Sequence, residues 1–141
     1  MEGLKISKEH VDAIVAQAFS ELPNECCGVL AGTDGTATKV YKATNIDKSP
    51  VKYTIDPKEL QQIFLDAEKS KLDVLAFYHS HTFSEAYPSV TDVKLVPWPD
   101  WFDYLYVIVS LKDRSKPLMR AFKIAGKDIK EEPLQVEGAL P

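Results

Sequence analysis

Apolar residues recur at helical spacing near the start of the chain, at Val11, Ile14, Val15, Ala18, Phe19 and Leu22, which predicts a helix over 8–22 that stops at Pro23. The periodicity then changes. Cys26 to Ala31 is continuously small or apolar and predicts a central strand, and Gly32-Thr33-Asp34-Gly35 forms a turn into a second strand over 36–45, a hairpin pattern. Tyr53-Thr54-Ile55 adds a short extended piece. Asp56-Pro57 has the cap and first-turn residues of a second helix, whose inward face is Leu60, Ile63, Phe64 and Ala67.

The run from Val74 to Tyr78 is apolar throughout and predicts a buried strand ending at His79 and His81. Pro88, Val93, Leu95 and Val96 suggest a short helix after it. Pro97-Trp98-Pro99-Asp100-Trp101-Phe102 holds too much proline for a regular element and predicts a surface loop. Strands over 105–111 and 118–124 flank an Asp113-Arg114-Ser115-Lys116 turn, with a weaker strand over 129–134. Residues 136–141 read as a loose tail. The sum is an α/β protein: a mixed, curled β-sheet flanked by helices, in a single domain over 1–141, with no internal repeat or linker.

Composition narrows this picture in three ways. At 141 residues the chain can bury a core without disulfide staples, and its two cysteines, Cys26 and Cys27, are adjacent and give no disulfide framework. In a strand, Glu25 and Cys27 share one face and Cys26 takes the other. Both thiols read as small buried fillers, and the sharper reading puts Cys27 on the wall of a metal pocket. The net charge of -4, with scattered lysines, leaves no electrostatic footprint for nucleic acid. No run approaches the roughly 20 apolar residues that span a bilayer, and Met1-Glu2-Gly3-Leu4-Lys5 lacks a signal-peptide pattern, so the expected location is cytoplasmic.

Candidate chemistry gathers between His79 and Asp92. Residues two apart on a strand point the same way, so His79 and His81 can reach one ion. Asp92, three residues after Ser89, shares a helical face with it. Two histidines and a carboxylate leave the fourth position of zinc for water, the pattern of a catalytic rather than a structural site. A base is also needed, and Glu25 sits at the mouth of an apolar strand, where a carboxylate is costly to desolvate. Each part also has a plainer reading. Ser89-x-x-Asp92 after a proline is a capping arrangement, His-x-His is common on surfaces, and Glu25 follows a Pro-Asn loop. His10 reads as a solvated or capping residue. Trp98 and Trp101 are either partner anchors or cover for a sheet edge. A zinc nucleotide deaminase is disfavoured, because the Pro-Cys-x-x-Cys segment is missing.

Glu25, His79-x-His81 and Ser89-x-x-Asp92 together resemble the JAMM (MPN+) zinc metallopeptidases. The stretch from His79 to Asp92 is similar, more narrowly, to bacterial members that hydrolyse a sulfur-carrier-protein to cysteine adduct. Thr82 stands where many eukaryotic deubiquitinating members have proline, a departure that points to the bacterial branch. The resemblance implies a JAMM/MPN, cytidine-deaminase-like fold, with Zn2+ held by His79, His81 and Asp92, Glu25 as general acid/base and Ser89 stabilising the oxyanion. It further implies a ubiquitin-like sulfur carrier as partner, its Gly-Gly tail entering the cleft extended and its C-terminal Gly-Cys amide being cleaved to release cysteine. Two alternatives stay open: an isopeptidase that removes ubiquitin-like modifiers from lysine side chains, and a metal-free MPN scaffold. A homodimer also stays open.

Overall fold

The computed structural model describes residues 3–99 and 102–138. Its elements follow in the order β1 (Leu4–Ser7), α1 (Lys8–Ser20), β2 (Cys27–Thr33), β3 (Thr36–Ala43), α2 (Pro57–Lys69), β4 (Asp73–His81), α3 (Val90–Lys94), β5 (Leu105–Ser110), β6 (Leu118–Ala125), β7 (Asp128–Glu132) and β8 (Leu134–Glu137). The strands form one mixed sheet in the order β7-β6-β5-β4-β2-β3-β1-β8. β4 pairs antiparallel with β2 and parallel with β5, which places it at the centre.

Alternation along the central strands divides the core into two layers. Cys26, Leu30, Ala76, Tyr78, Val107 and Val109 pack with Ile14 and Ala18 of α1 on one face. Cys27, Val29, Phe77 and Ile108 pack with Ile63 of α2 on the other. Both faces of β2, β4 and β5 are therefore covered, and strands covered on both faces read as continuous apolar runs. At about 25 cal/mol per Å² of apolar surface, such burial is the main favourable contribution to folding. The pattern also fixes direction: Phe77, His79 and His81 alternate onto the α2 face, and Tyr78 and Ser80 onto the α1 face.

Three local features differ from expectation. Leu4-Lys5-Ile6-Ser7, which carries too short an alternation to stand out, forms β1 inside the sheet, parallel to β3 and β8. Its last residue caps α1, with Ser7 Oγ accepting from His10 N at 3.2 Å and lying 3.0 Å from His10 Nδ1, so His10 belongs to a cap. The β2–β3 turn is tighter than the four residues anticipated. Asp34 and Gly35, with φ of 52° and 76°, make a two-residue hairpin turn of the primed type, and Gly32 lies within β2 where a Cβ would come 1.8 Å from Thr36 O. Val136 and Glu137, expected in a loose tail, instead end β8, because the outer edge of β1 accepts a parallel ladder that pairs Ile6 with Val136. Residues 139–141 lie outside the described residues.

Trp98 stacks on Phe77 at 5.5 Å and meets Phe64 and Tyr104 edge-on, which makes it cover for the sheet. Trp101 lies outside the described residues.

Candidate functional site

β4 delivers both histidines from the centre of the sheet, and each neighbour holds them in place. Between them, Ser80 Oγ accepts from Cys26 N at 2.8 Å across to β2. Beyond them, His81 O accepts from Leu111 N at 2.9 Å. Both rings are about 2% exposed. α3 supplies the third group through a capping box: Ser89 Oγ accepts from Asp92 N at 3.0 Å, and Asp92 Oδ2 accepts from Ser89 N at 2.9 Å. The same Oδ2 lies 3.2 Å from His79 Nε2 and 3.0 Å from His81 Nε2, and the two ring nitrogens are 3.2 Å apart. The cap and the cluster are one structure, so the two readings of Ser89-x-x-Asp92 are not exclusive.

This triangle fits a metal. His81 Nδ1 is 2.7 Å from Glu85 O, which can only accept, so Nδ1 carries a proton, and in the neutral ring Nε2 is then the lone-pair atom a cation would take. His79 is held by stacking on Tyr53, ring centroids 4.5 Å apart, and its buried Nδ1 has no hydrogen-bond partner. Electron-rich atoms facing one another across 3.0–3.2 Å repel unless a proton or a cation lies between them. Zinc with bonds of about 2.0–2.1 Å has tetrahedral edges of about 3.3 Å, close to the sides of this triangle. His79, His81 and Asp92 are also the one group among the described residues whose ligand atoms converge in this way.

The charges of the site are set by burial first. Burial would raise the Asp92 carboxyl, but hydrogen bonds from His79 and His81 outweigh it and hold the group well below the usual carboxylate range. Burial pushes His79 down. It acts the same way on His81, where hydrogen bonds to Asp92 and to Glu85 O prevail and lift the ring above its usual value. Glu25 is 3% exposed, and its Oε1 is buried without a partner. Burial raises its pKa to about 8, with His81 opposing and Asp92 adding to the shift. Glu25 thus sits close enough to respond to two of the three cluster residues.

Several supporting residues left no mark in the sequence. Asn45, 4% exposed, uses its whole side chain: Nδ2 donates to Glu25 O at 3.0 Å and Lys52 O at 3.1 Å, and Oδ1 accepts from Asp47 N and Thr54 N. Glu25 N donates to Ser49 O at 2.9 Å, and Thr82 Oγ1 donates to Pro50 O at 3.2 Å, so the 45–55 strap is tied to both halves of the site. Ser110 Oγ donates to Ser84 O at 2.6 Å and Arg114 Nε to Leu111 O at 2.9 Å, which anchors the turn after His81. An Asn in a polar stretch and a Tyr before a helix look ordinary until the chain folds.

Cys26 and Cys27 face opposite sides of the sheet, and only Cys27 shares a face with His79. Cys27 is buried opposite His79 in the β2–β4 register and does not line the cavity beside the cluster. Burial pushes the Cys26 thiol up to about 12 and raises Cys27 as well, so neither is a nucleophile near neutral pH.

Beside His79 and Asp92 opens an apolar cavity of about 250 Å³, walled by Tyr53, Phe77, Leu95, Trp98, Tyr106 and Ile108. Concave, mostly apolar sites with a few converging polar groups are where small ligands and substrate side chains bind.

A central strand that ends in two histidines, met by a carboxylate from a short helix on a mixed sheet covered by helices, is the frame on which the chain matches a class of domains, the JAB class. The model of that class describing prokaryotic homologs of the JAB domain matches residues 7–125. The chain belongs to this family. It is 38% identical over 135 residues to the CysO-cysteine peptidase of Mycobacterium tuberculosis, covering 94% of this chain and 90% of that protein. It is 33% identical over 141 residues to the desampylase of Haloferax volcanii, covering 95% and 96%. Its fold is similar to that of a Desulfitobacterium hafniense protein solved in solution, with a TM-score of 0.87 and 32% identity over 97% of this chain and 94% of the other.

Proposed function

We propose that this protein is a zinc-dependent peptidase that cleaves the C-terminal Gly-Cys amide of a ubiquitin-like sulfur carrier and so releases cysteine. The observation that carries the reading is the cluster of three candidate ligands together with a buried, unpartnered carboxyl that feels the charges of His81 and Asp92. His79, His81 and Asp92 hold the metal, which when bound supplies a Lewis acid for the scissile carbonyl and makes water acidic enough to ionise near neutral pH. Glu25 takes the proton of the attacking water on its unpartnered Oε1 and returns it to the leaving amine. The Ser89 hydroxyl already accepts from Asp92 N, which leaves its own proton to donate to the tetrahedral oxyanion.

The likeness to a CysO-cysteine peptidase supports the cysteine adduct as substrate. The likeness to a desampylase supports a second reading, an isopeptidase acting on conjugated lysines, which would use the same residues. A metal-free scaffold is disfavoured by the fit of the ligand triangle. A cytoplasmic site of action in cysteine biosynthesis belongs to the same proposal; among the described residues no helix is long and apolar enough to cross a membrane.

The test is mass spectrometry of a ubiquitin-fold carrier ending in Gly-Gly-Cys, incubated with zinc-loaded protein and in parallel with Glu25→Gln. Loss of one cysteine residue with the wild type alone is the expected result. An intact carrier alongside a cleaved lysine conjugate would put the isopeptidase reading in its place.

A further inference from the structure

The cavity beside the cluster bears on which amide is cut. Its walls are Tyr53, Ile55, Phe77, Trp98, Tyr106 and Ile108, and it reaches His79 and Asp92 themselves. A diglycine tail has no side chain to place there. Residues before the two glycines lie at least two positions from the scissile carbonyl, about 7 Å away at about 3.3 Å per extended residue. A cavity in contact with the metal ligands is therefore placed for the residue on the other side of the bond.

The same cavity has one cation. Lys52 is the only lysine or arginine lining it among the described residues, and it is exposed and makes no ion pair there. Other cations near His81 are committed: Lys112 lies 3.6 Å from Glu85 Oε1, and Arg114 donates to the carbonyls of Leu111 and Thr82. The backbone of Lys52 is fixed by the hydrogen bond from Asn45 Nδ2 to its carbonyl. A released residue with a free α-carboxylate would stand beside two acids, Asp92 and Glu25, and needs a positive partner to offset them.

Resting on the peptidase reading above, we propose that the cavity seats an apolar C-terminal residue and that Lys52 binds its α-carboxylate, so that the enzyme selects a C-terminal amide over a side-chain-linked one. A lysine-linked conjugate places no carboxylate there and gains nothing from Lys52. Specificity then comes from this cation and not from the cluster, which treats both amides alike.

The test uses carriers ending in Gly-Gly-Cys as the free acid and as the C-terminal amide, with zinc-loaded wild type, Lys52→Gln and Lys52→Arg. A charge-assisted hydrogen bond gives the wild type a preference for the acid of about 10- to 100-fold in kcat/KM. In Lys52→Gln that ratio collapses towards one, and Lys52→Arg retains most of it. Calorimetry with Glu25→Gln protein, which binds without turnover, shows the same acid-over-amide preference in affinity, lost when Lys52→Gln is added. An acid-to-amide ratio unchanged in Lys52→Gln, with both carriers cleaved, overturns this assignment and leaves the peptidase reading standing. Failure of the zinc-loaded wild type to cleave either carrier overturns both.

Discussion

Replacing Glu25 by Gln keeps the shape of the side chain and removes its ionisation, which makes the buried carboxyl measurable without any substrate. In the metal-free protein its pKa stands at about 8 against an ordinary 4.5, chiefly because burial penalises the charged form. Between those two values the folded state binds more protons than the unfolded state, so stability falls as pH rises through the interval and levels off above about pH 8. At about 1.4 kcal/mol per pH unit the whole shift amounts to about 5 kcal/mol, most of it developing above pH 5. The assay is urea unfolding of chelator-treated protein from pH 5 to pH 9, for wild type and Glu25→Gln in parallel, so that titration of His81 and Asp92 enters both curves. The Gln variant is expected to gain on the wild type by about 4 kcal/mol between pH 5 and pH 8.5. A cation in the cluster favours the carboxylate, so the divergence should shrink when metal is restored. Parallel stability curves for the two metal-free proteins would refute the claim that burial governs this carboxyl.

Ser89→Ala should lower turnover by about 100- to 1000-fold with metal content kept, because one oxyanion donor is lost; a loss limited to the roughly 1 kcal/mol of stability that a missing cap costs would confine Ser89 to capping. His81→Ala and Asp92→Ala should each abolish metal retention on gel filtration followed by elemental analysis, and a variant that still holds stoichiometric metal would remove that residue from the ligand set. In the wild type, a proton on His81 competes with metal. Its raised pKa moves that competition upward, so chelator titrations should show affinity falling from pH 8 to pH 6, and a pH-independent affinity would contradict the assignment. Asn45→Ala removes four hydrogen bonds, two of them donated by its own amide, and should lower urea stability by about 3 to 5 kcal/mol; a change within experimental error would mean that water replaces the amide.

The cluster of His79, His81 and Asp92 was legible because its signals are local. His79 and His81 share a face through strand parity, and the spacing of Ser89 and Asp92 is one helical turn, so the pattern of residues translates directly into direction. Central strands were legible for a related reason, since burial on both faces leaves unbroken apolar runs. What stayed hidden depends on distant partners. β1 is four residues long and is a strand only because β3 and β8 lie on either side of it. β8 runs into a segment that reads as polar and loose, and gains its conformation from the edge of β1. Asn45, Tyr53 and Lys52 have neighbours that meet them only once the strap folds over β4, and nothing in their own spacing announces them.

The way that strap is fastened has a kinetic consequence. Its backbone and side chains are bonded to Glu25 at residues 45 and 49, to Thr82 at Pro50 and to itself across Asn45 and Ile55. A wall pinned at so many points is in place before anything arrives. Encounter with a partner should therefore proceed in a single bimolecular step whose observed rate rises linearly with concentration, without the plateau that a closing loop imposes. Amide protons at Glu25 and Thr54, both hydrogen-bonded within the strap's fastenings, should exchange slowly in the free protein and change little when the partner binds.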